Sequence, residues 1–334
     1  MNSSGQTQPV CVIGSGSWGT ALAMVLSRTG REVRMLTHTP EEAVQLNLKH
    51  ENTPYLPGIP FPPTLSATNS YDEALAGTAA TVVAVPCFAA DSVLVHLQGI
   101  DTPVIAANKG IDPESLERVD EMLIRHVGRG RAALLSGPSF AKDSAAGLPT
   151  AISMAASDIE LARHCAALFT DPAFRIYTCT DMAGVALGGA LKNVIAIAAG
   201  ITAGLELGHS AMAALVTRGI AEISRLAVAC GGRPETLAGL SGLGDLVLTC
   251  TGELSRNRQM GMALAGGMSV EAARNHVGQI VEGEKTAIAA CKLAEKHNIE
   301  MPIAQSVRAV LQGELEASEA VSRLLARPQK SELE

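Results

Sequence analysis

Apolar positions follow two different rhythms along the chain. Up to about residue 180, short strand-like stretches rich in apolar residues recur at 10–13, 32–36, 80–85, 102–107, 132–135, 150–154 and 174–177, most of them closed by glycine, proline or small polar residues. Stretches with helical periodicity, such as 20–26, 114–127 and 159–169, lie between them. Short runs alternating with helices predict a doubly wound, mostly parallel sheet with its functional loops at the carboxyl ends of the strands. From about 181 the strand signals almost disappear. The spacing predicts helices over 182–205, 212–230, 257–265, 269–277, 284–297, 302–312 and 318–325, with no fixed-period repeat or low-complexity tract. The division is placed at 187. Residues 1–187 form an α/β domain and residues 188–334 an all-helical one, and in such an arrangement a substrate is expected in the cleft between the two.

The first strand is followed by Gly14-Ser15-Gly16-Ser17-Trp18-Gly19 and then a helix. Strand, Gly-x-Gly-x-x-Gly and helix together make a Rossmann-type dinucleotide-binding hypothesis; the glycines alone are compatible with an unliganded turn. Gly14 permits the tight turn, Gly16 leaves the backbone open to a pyrophosphate, and Gly19 lets the helix pack close to the strand. The helix N-terminus offers N–H groups and a positive dipole end to phosphate. An NAD-specific site usually carries Asp or Glu at the end of the second strand, to bind the ribose hydroxyls. Here the sequence is Leu36-Thr37-His38-Thr39. With no carboxylate in that tetrapeptide and a histidine able to meet a 2′-phosphate, NADPH is favoured, or both NADP and NAD are used; an exposed loop histidine is the alternative. The proline-rich segment 53–63, which includes Tyr55, cannot be helix interior and reads as an ordered loop beside this site.

Composition narrows the remaining classes. The chain has 334 residues, 47% hydrophobic and 18% charged, with net charge −7. That balance gives no basic field for nucleic acid, and one Trp, three Tyr and five Phe make a poor base-stacking surface. The seven cysteines are scattered, without a C-x-x-C pair, so neither a zinc site nor a disulfide framework is expected. Free thiols fit a cytoplasmic protein. The polar stretch 1–9 has no signal-peptide core, and the uncharged run 193–205 is too short to span a bilayer and reads as a buried helix, so no stable membrane insertion is expected.

Several residues could carry chemistry. Lys109 follows a strand end, where an ammonium could polarise a carbonyl or meet a phosphate; the alternative is a surface lysine. Gly137 and Ser139, in the turn Ser136-Gly137-Pro138-Ser139-Phe140-Ala141, offer N–H groups and a hydroxyl at another strand end. Lys192 stands alone inside a long apolar helix, which is costly unless it has a partner or a task. Burial would bring its pKa toward the range of acid–base catalysis; a packed stem with a solvated head is the alternative. Asp245, in a glycine-bounded stretch read as a loop over 241–251, could pair with it or could cap a helix. Ser255-Arg256-Asn257 opens a helix, so N–H groups, dipole and guanidinium could converge on a phosphate, or form a cap beside a solvated arginine. Glu282 reads by default as a surface turn.

Taken together and in this order, the glycine loop, Asn108-Lys109-Gly110, Gly137-Pro138-Ser139-Phe140-Ala141, Gly189-Ala190-Leu191-Lys192-Asn193, Gly242-Leu243-Gly244-Asp245-Leu246 and Ser255-Arg256-Asn257 resemble the bacterial-type NAD(P)-dependent glycerol-3-phosphate dehydrogenases over nearly the whole chain. The resemblance implies interconversion of sn-glycerol 3-phosphate and dihydroxyacetone phosphate, in support of phospholipid synthesis, without a metal and by a homodimer. It implies that Ser17, Trp18, His38, Tyr55 and Ala141 contact the dinucleotide. Lys109 would touch cofactor and substrate, Gly137 and Ser139 would line the substrate, and Lys192 would carry the proton. Asp245, Ser255, Arg256 and Asn257 would complete the glycerol phosphate site, and Arg256, Ile280 and Glu282 would also reach the cofactor. A more basic stretch than Thr37-His38-Thr39 is expected of many members, which leaves the balance of NAD and NADP open. A related two-domain hydroxy acid dehydrogenase is the alternative within enzymes; it would need a carboxylate-binding arginine and would not require Ser255-Arg256-Asn257. A nucleotide sensor without turnover is the alternative outside them.

Overall fold

The computed structural model describes residues 8–328 and 331. The chain divides into two compact units, one of residues 1–109 and 117–186, the other of residues 110–116 and 187–334.

The first unit is built on eight strands: β1 (Val10–Ile13), β2 (Val33–Leu36), β3 (Leu65–Thr68), β4 (Ala80–Val83), β5 (Val104–Ala106), β6 (Ala132–Ser136), β7 (Thr150–Ala156) and β8 (Phe174–Cys179). Their order in the sheet is β3-β2-β1-β4-β5-β6-β7-β8. The β6–β7 pair is antiparallel and the other neighbouring pairs are parallel. β1 and β4 are buried at every position, as expected for parallel strands covered on both faces, which is why they read as unbroken apolar runs. Ile13 lies opposite both Leu36 and Val83, so β1, β2 and β4 end flush. The strand order reverses at β1, and the loops after these flush ends are where ligands bind in such sheets. Two apolar clusters pack the faces, one around Leu22, Leu26, Met35 and Ile105, the other around Leu97, Leu123 and Leu134.

The second unit is helical. Its longest helix starts in the first unit at Met182 and runs to Gly204. It is long and apolar enough to cross a membrane, but 94% of its most apolar window is buried inside the protein's own core. The uncharged run that begins at 193 is therefore, as far as Gly204, the second half of a longer helix. Gly200 and Gly261 let this helix and Arg256–Ala265 cross with their backbones nearly touching. A Cβ on Gly200 would fall 2.0 Å from the Arg258 carbonyl oxygen, and one on Gly261 2.0 Å from that of Ile197. Further helices, among them Gly208–Ala229, Val270–Val277, Glu282–Lys296, Pro302–Leu311 and Ala317–Leu325, pack in the unit, whose core includes Leu187, Ile195, Leu226 and Met260.

The pattern misleads in three places. β3 is missed by a reading based on apolar runs, because this edge strand is only four residues long and alternates buried Leu65 and Ala67 with less buried Ser66 and Thr68. The helix expected over 114–127 begins only at Val119, where Glu121 accepts from the Arg118 N–H at 3.0 Å. Asp112 holds the preceding turn by accepting from the N–H groups of Glu114 and Ser115. Residues 241–251 are not a loop: a turn of π-helix, Leu240–Gly244, leads into the helix Asp245–Thr251.

Candidate active site

In the first unit the glycine loop has the geometry a phosphate cradle needs. Gly14 takes φ +108°, in the left-handed region, and a Cβ there would meet the Ala84 carbonyl oxygen at 2.8 Å. A Cβ on Gly19 would fall 1.9 Å from the Gly14 carbonyl oxygen, so helix and turn touch through that glycine. Gly16 differs: among the described residues, its chain neighbours aside, no atom lies within 4 Å of the place a Cβ would take. Packing does not require a glycine there, whereas close approach by a ligand does. Gly16 is also the extended cap of the helix Ser17–Arg28 and, without a side chain, offers no cap to the first-turn N–H groups. The loop fits a pyrophosphate.

Side chains tie neighbouring segments to that cradle. Ser17 Oγ donates to the Tyr55 carbonyl oxygen at 2.8 Å and brings the proline-rich segment against the glycines. Trp18 Nε1 donates to the Ala107 carbonyl oxygen just beyond β5, at 3.2 Å. His38 is exposed after β2. The N–H of His38 and the hydroxyl of Ser15 donate to the two carboxylate oxygens of Glu42, at 3.2 and 2.6 Å. The tetrapeptide after β2 lacks an acidic residue, yet a carboxylate reaches the strand end from the next helix, which local sequence order does not reveal.

At the end of β5, half-buried Lys109 follows Asn108, and Gly137 with Ser139 follows β6. Gly137 takes φ +151°, and a Cβ on it would collide with Ile152 at 2.8 Å. Ser139 Oγ donates to the Gly137 carbonyl oxygen at 3.1 Å, and Ala141 opens the short helix that follows. A cavity of about 10 Å³, the size of one water, is lined by Asn108, Lys109 and Ser136 among others.

In the second unit Lys192 and Asp245 are 7% and 0% exposed, and the lysine ammonium donates to the aspartate carboxylate. The π-helical turn delivers the aspartate to the lysine and is closed by the N–H of Gly244 on the Gly239 carbonyl oxygen. Thr249 Oγ1 donates to the Asp245 carbonyl oxygen at 2.6 Å. Burial pushes the neighbouring Cys250 thiol up to about 12, so it stays neutral.

Ser255 caps the helix Arg256–Ala265 by accepting from the Arg258 N–H at 3.2 Å. Arg256 is exposed, with Nη1 3.5 Å from Gln279 Oε1, next to exposed Ile280 and close to Glu282, the first residue of its helix. Asn257 Nδ2 donates to Asn193 Oδ1 at 3.0 Å, and Asn257 Oδ1 accepts from the Gly283 N–H at 2.9 Å. The structure thus gathers Lys192, Asp245 and Asn193 on one side and Asn257, Arg256 and Glu282 on the other through shared helices. Asn193 joins them through Asn257, and the sequence marks it only by its place one residue beyond Lys192.

Models of the NAD-dependent glycerol-3-phosphate dehydrogenase N-terminus and C-terminus match residues 9–162 and 181–322. The chain belongs to the NAD-dependent glycerol-3-phosphate dehydrogenase family. It is 45% identical to glycerol-3-phosphate dehydrogenase [NAD(P)+] of Halorhodospira halophila over 97% of this chain and 98% of that one. It is 44% identical to that of Geobacter metallireducens over 97% and 99%. The crystal structure of glycerol-3-phosphate dehydrogenase from Coxiella burnetii is 40% identical and superposes with a TM-score of 0.91 over 96% of this chain and 99% of that one. Membership in this family decides between the dehydrogenase readings, and the chain is an NAD(P)-dependent oxidoreductase of this class.

Proposed function

We propose that the chain interconverts sn-glycerol 3-phosphate and dihydroxyacetone phosphate with NAD(P)H, supplying glycerol phosphate for phospholipids. Residues 1–187 bind the dinucleotide, and residues 188–334 supply proton transfer and phosphate recognition. The buried Lys192–Asp245 pair carries this reading, because a charged lysine in an apolar helix needs both a partner and a task.

The chemistry supplied by a bound nicotinamide is hydride transfer to or from the carbonyl carbon. Lys192, as ammonium, protonates the developing alkoxide in reduction; as amine, it takes the hydroxyl proton in oxidation. Asp245 holds that ammonium in place, and Lys109 adds positive charge near the oxygen. Ser255, Arg256 and Asn257 receive the substrate phosphate, with Gly137 and Ser139 lining the substrate. Gly14, Gly16, Ser17, Trp18 and Gly19 hold the dinucleotide, with Tyr55, Lys109 and Ala141 beside it and Arg256, Ile280 and Glu282 reaching it.

The finer cofactor reading is NADPH over NADH, on the strength of exposed His38 after β2. The enzyme works as a cytoplasmic homodimer, a reading supported by its scattered cysteines and by the family resemblance. Mixing the protein with dihydroxyacetone phosphate and following absorbance at 340 nm tests the whole. Oxidation of NADPH with kcat/KM at least equal to that for NADH is expected. Cofactor binding without turnover would make the protein a sensor, and a more than tenfold preference for NADH, about 1.4 kcal/mol, would overturn the His38 argument.

A further inference from the structure

The carboxylate of Glu42 is held by two segments that flank the adenosine ribose in a dinucleotide-binding βαβ unit. One oxygen accepts from Ser15 Oγ, in the glycine loop, at 2.6 Å. The other accepts from the His38 N–H, just beyond β2, at 3.2 Å. The Ser15 backbone is itself fixed, its carbonyl oxygen accepting from Asn52 Nδ2 at 2.7 Å. Glu42 thus stands where an acidic residue at the end of the second strand would act, although it comes from the first turn of the helix Pro40–Lys49.

Helix capping accounts for part of this arrangement. Thr39 caps that helix by accepting from the Glu42 N–H at 3.3 Å, and Thr-x-x-Glu is a capping-box spacing. A capping box returns the glutamate to the backbone of the cap residue. Here it goes one residue further back, to His38, and across to Ser15. Capping does not require the second contact.

We infer that Glu42 is a specificity-determining residue: its charge accepts from a ribose 2′-hydroxyl and opposes a 2′-phosphate, and so limits the preference for NADPH that His38 confers. The inference rests on the dinucleotide reading of the glycine loop. A carboxylate anchored at both oxygens cannot swing away from an incoming phosphate dianion without giving up two hydrogen bonds, so the repulsion is built into the folded loop.

Calorimetric titration of the full-length protein with adenosine 2′,5′-bisphosphate and with 5′-AMP isolates the effect, since the ligands differ in the 2′-phosphate. Glu42→Gln keeps the length and one acceptor while removing the charge. It should tighten the bisphosphate about tenfold, leave AMP unchanged or weaker, and raise the ratio of kcat/KM for NADPH over NADH by a similar factor. Thr39→Ala, which loosens the cap but keeps the carboxylate, should leave both ratios unchanged. Equal changes for the two nucleotides in Glu42→Gln would reduce Glu42 to a cap and overturn the inference. Wild-type protein that bound neither nucleotide would instead overturn the dinucleotide reading on which it rests.

Discussion

Lys192 donates its ammonium proton to Asp245 within the helical unit, and neither side chain has more than a trace of exposure. A buried pair of this kind contributes little net stability, but breaking it leaves one charge stranded at a cost of roughly 3–5 kcal/mol. The arrangement therefore makes sense as a device for keeping a proton on a lysine that burial alone would discharge.

Asp245→Asn tests that device. Without the anion, one favourable partner of the buried ammonium is lost, so Lys192 should hold its proton less tightly. If Lys192 is the proposed proton donor, reduction of dihydroxyacetone phosphate should then fail at a lower pH than in the wild type. The alkaline limb of the kcat–pH profile should move down, and the oxidation optimum should move the same way. An unmoved profile with a merely lower melting temperature would leave Asp245 only a structural role.

The glycine loop separates packing from ligand binding. Gly16→Ala places a methyl where, chain neighbours aside, no atom of the described residues lies within 4 Å, so thermal stability should be unchanged. NAD(P)H affinity should nevertheless fall at least tenfold, read by quenching of Trp18, the single tryptophan. Gly19→Ala drives a methyl into the Gly14 carbonyl and should lower the melting temperature even without nucleotide. Full NAD(P)H affinity in Gly16→Ala would argue against a pyrophosphate at that loop.

Arg256→Ala tests substrate class. A hydrogen bond to a charged group is worth roughly 1.5–3 kcal/mol. The ratio of kcat/KM for dihydroxyacetone phosphate over unphosphorylated dihydroxyacetone should therefore fall roughly 10- to 150-fold. The ratio cancels any loss shared through the cofactor. An unchanged ratio would remove Arg256 from the phosphate site.

Glu222 gives the fold a pH dependence of its own. It is 2% exposed and accepts from the N–H groups of Ile303 and Ala304, capping the helix Pro302–Leu311 from below. Burial raises its pKa from 4.5 to about 7, despite those two bonds. The unfolded chain therefore releases this proton at lower pH than the native state, and stability should decline as pH rises from about 4.5 to about 7, by at most about 3 kcal/mol. Comparing urea midpoints across that range in wild type and Glu222→Gln should show this part of the slope vanish in the variant. An equal slope in both would assign it to other groups.

Much of this was legible before the fold was known. Unbroken apolar runs marked the strands buried on both faces, and glycines at 14, 16 and 19 marked a turn with three distinct steric demands. The lone Lys192 in an apolar helix pointed to its own partner, because a buried charge has few ways to be satisfied. What stayed hidden depends on contacts between distant segments. Asp245 reads as part of a loop because glycines at 242 and 244 break helical periodicity, whereas a π-helical turn accommodates them. Glu42 lies four residues past His38, and only the return of its helix's first turn brings the carboxylate to the strand end. Asn193 gains its place from Asn257, 64 positions along the chain.

The proposed mechanism assigns the proton to Lys192. Lys192→Met keeps the apolar stem and removes the ammonium, and leaves Asp245 buried without its partner, so folding is first checked by circular dichroism and NADPH binding. With both intact, single-turnover oxidation of NADPH by saturating dihydroxyacetone phosphate should slow by at least roughly 100-fold, the usual scale of acid–base catalysis. A folded, NADPH-binding Lys192→Met protein that turns over at near wild-type rate would contradict the account and move the proton to Lys109.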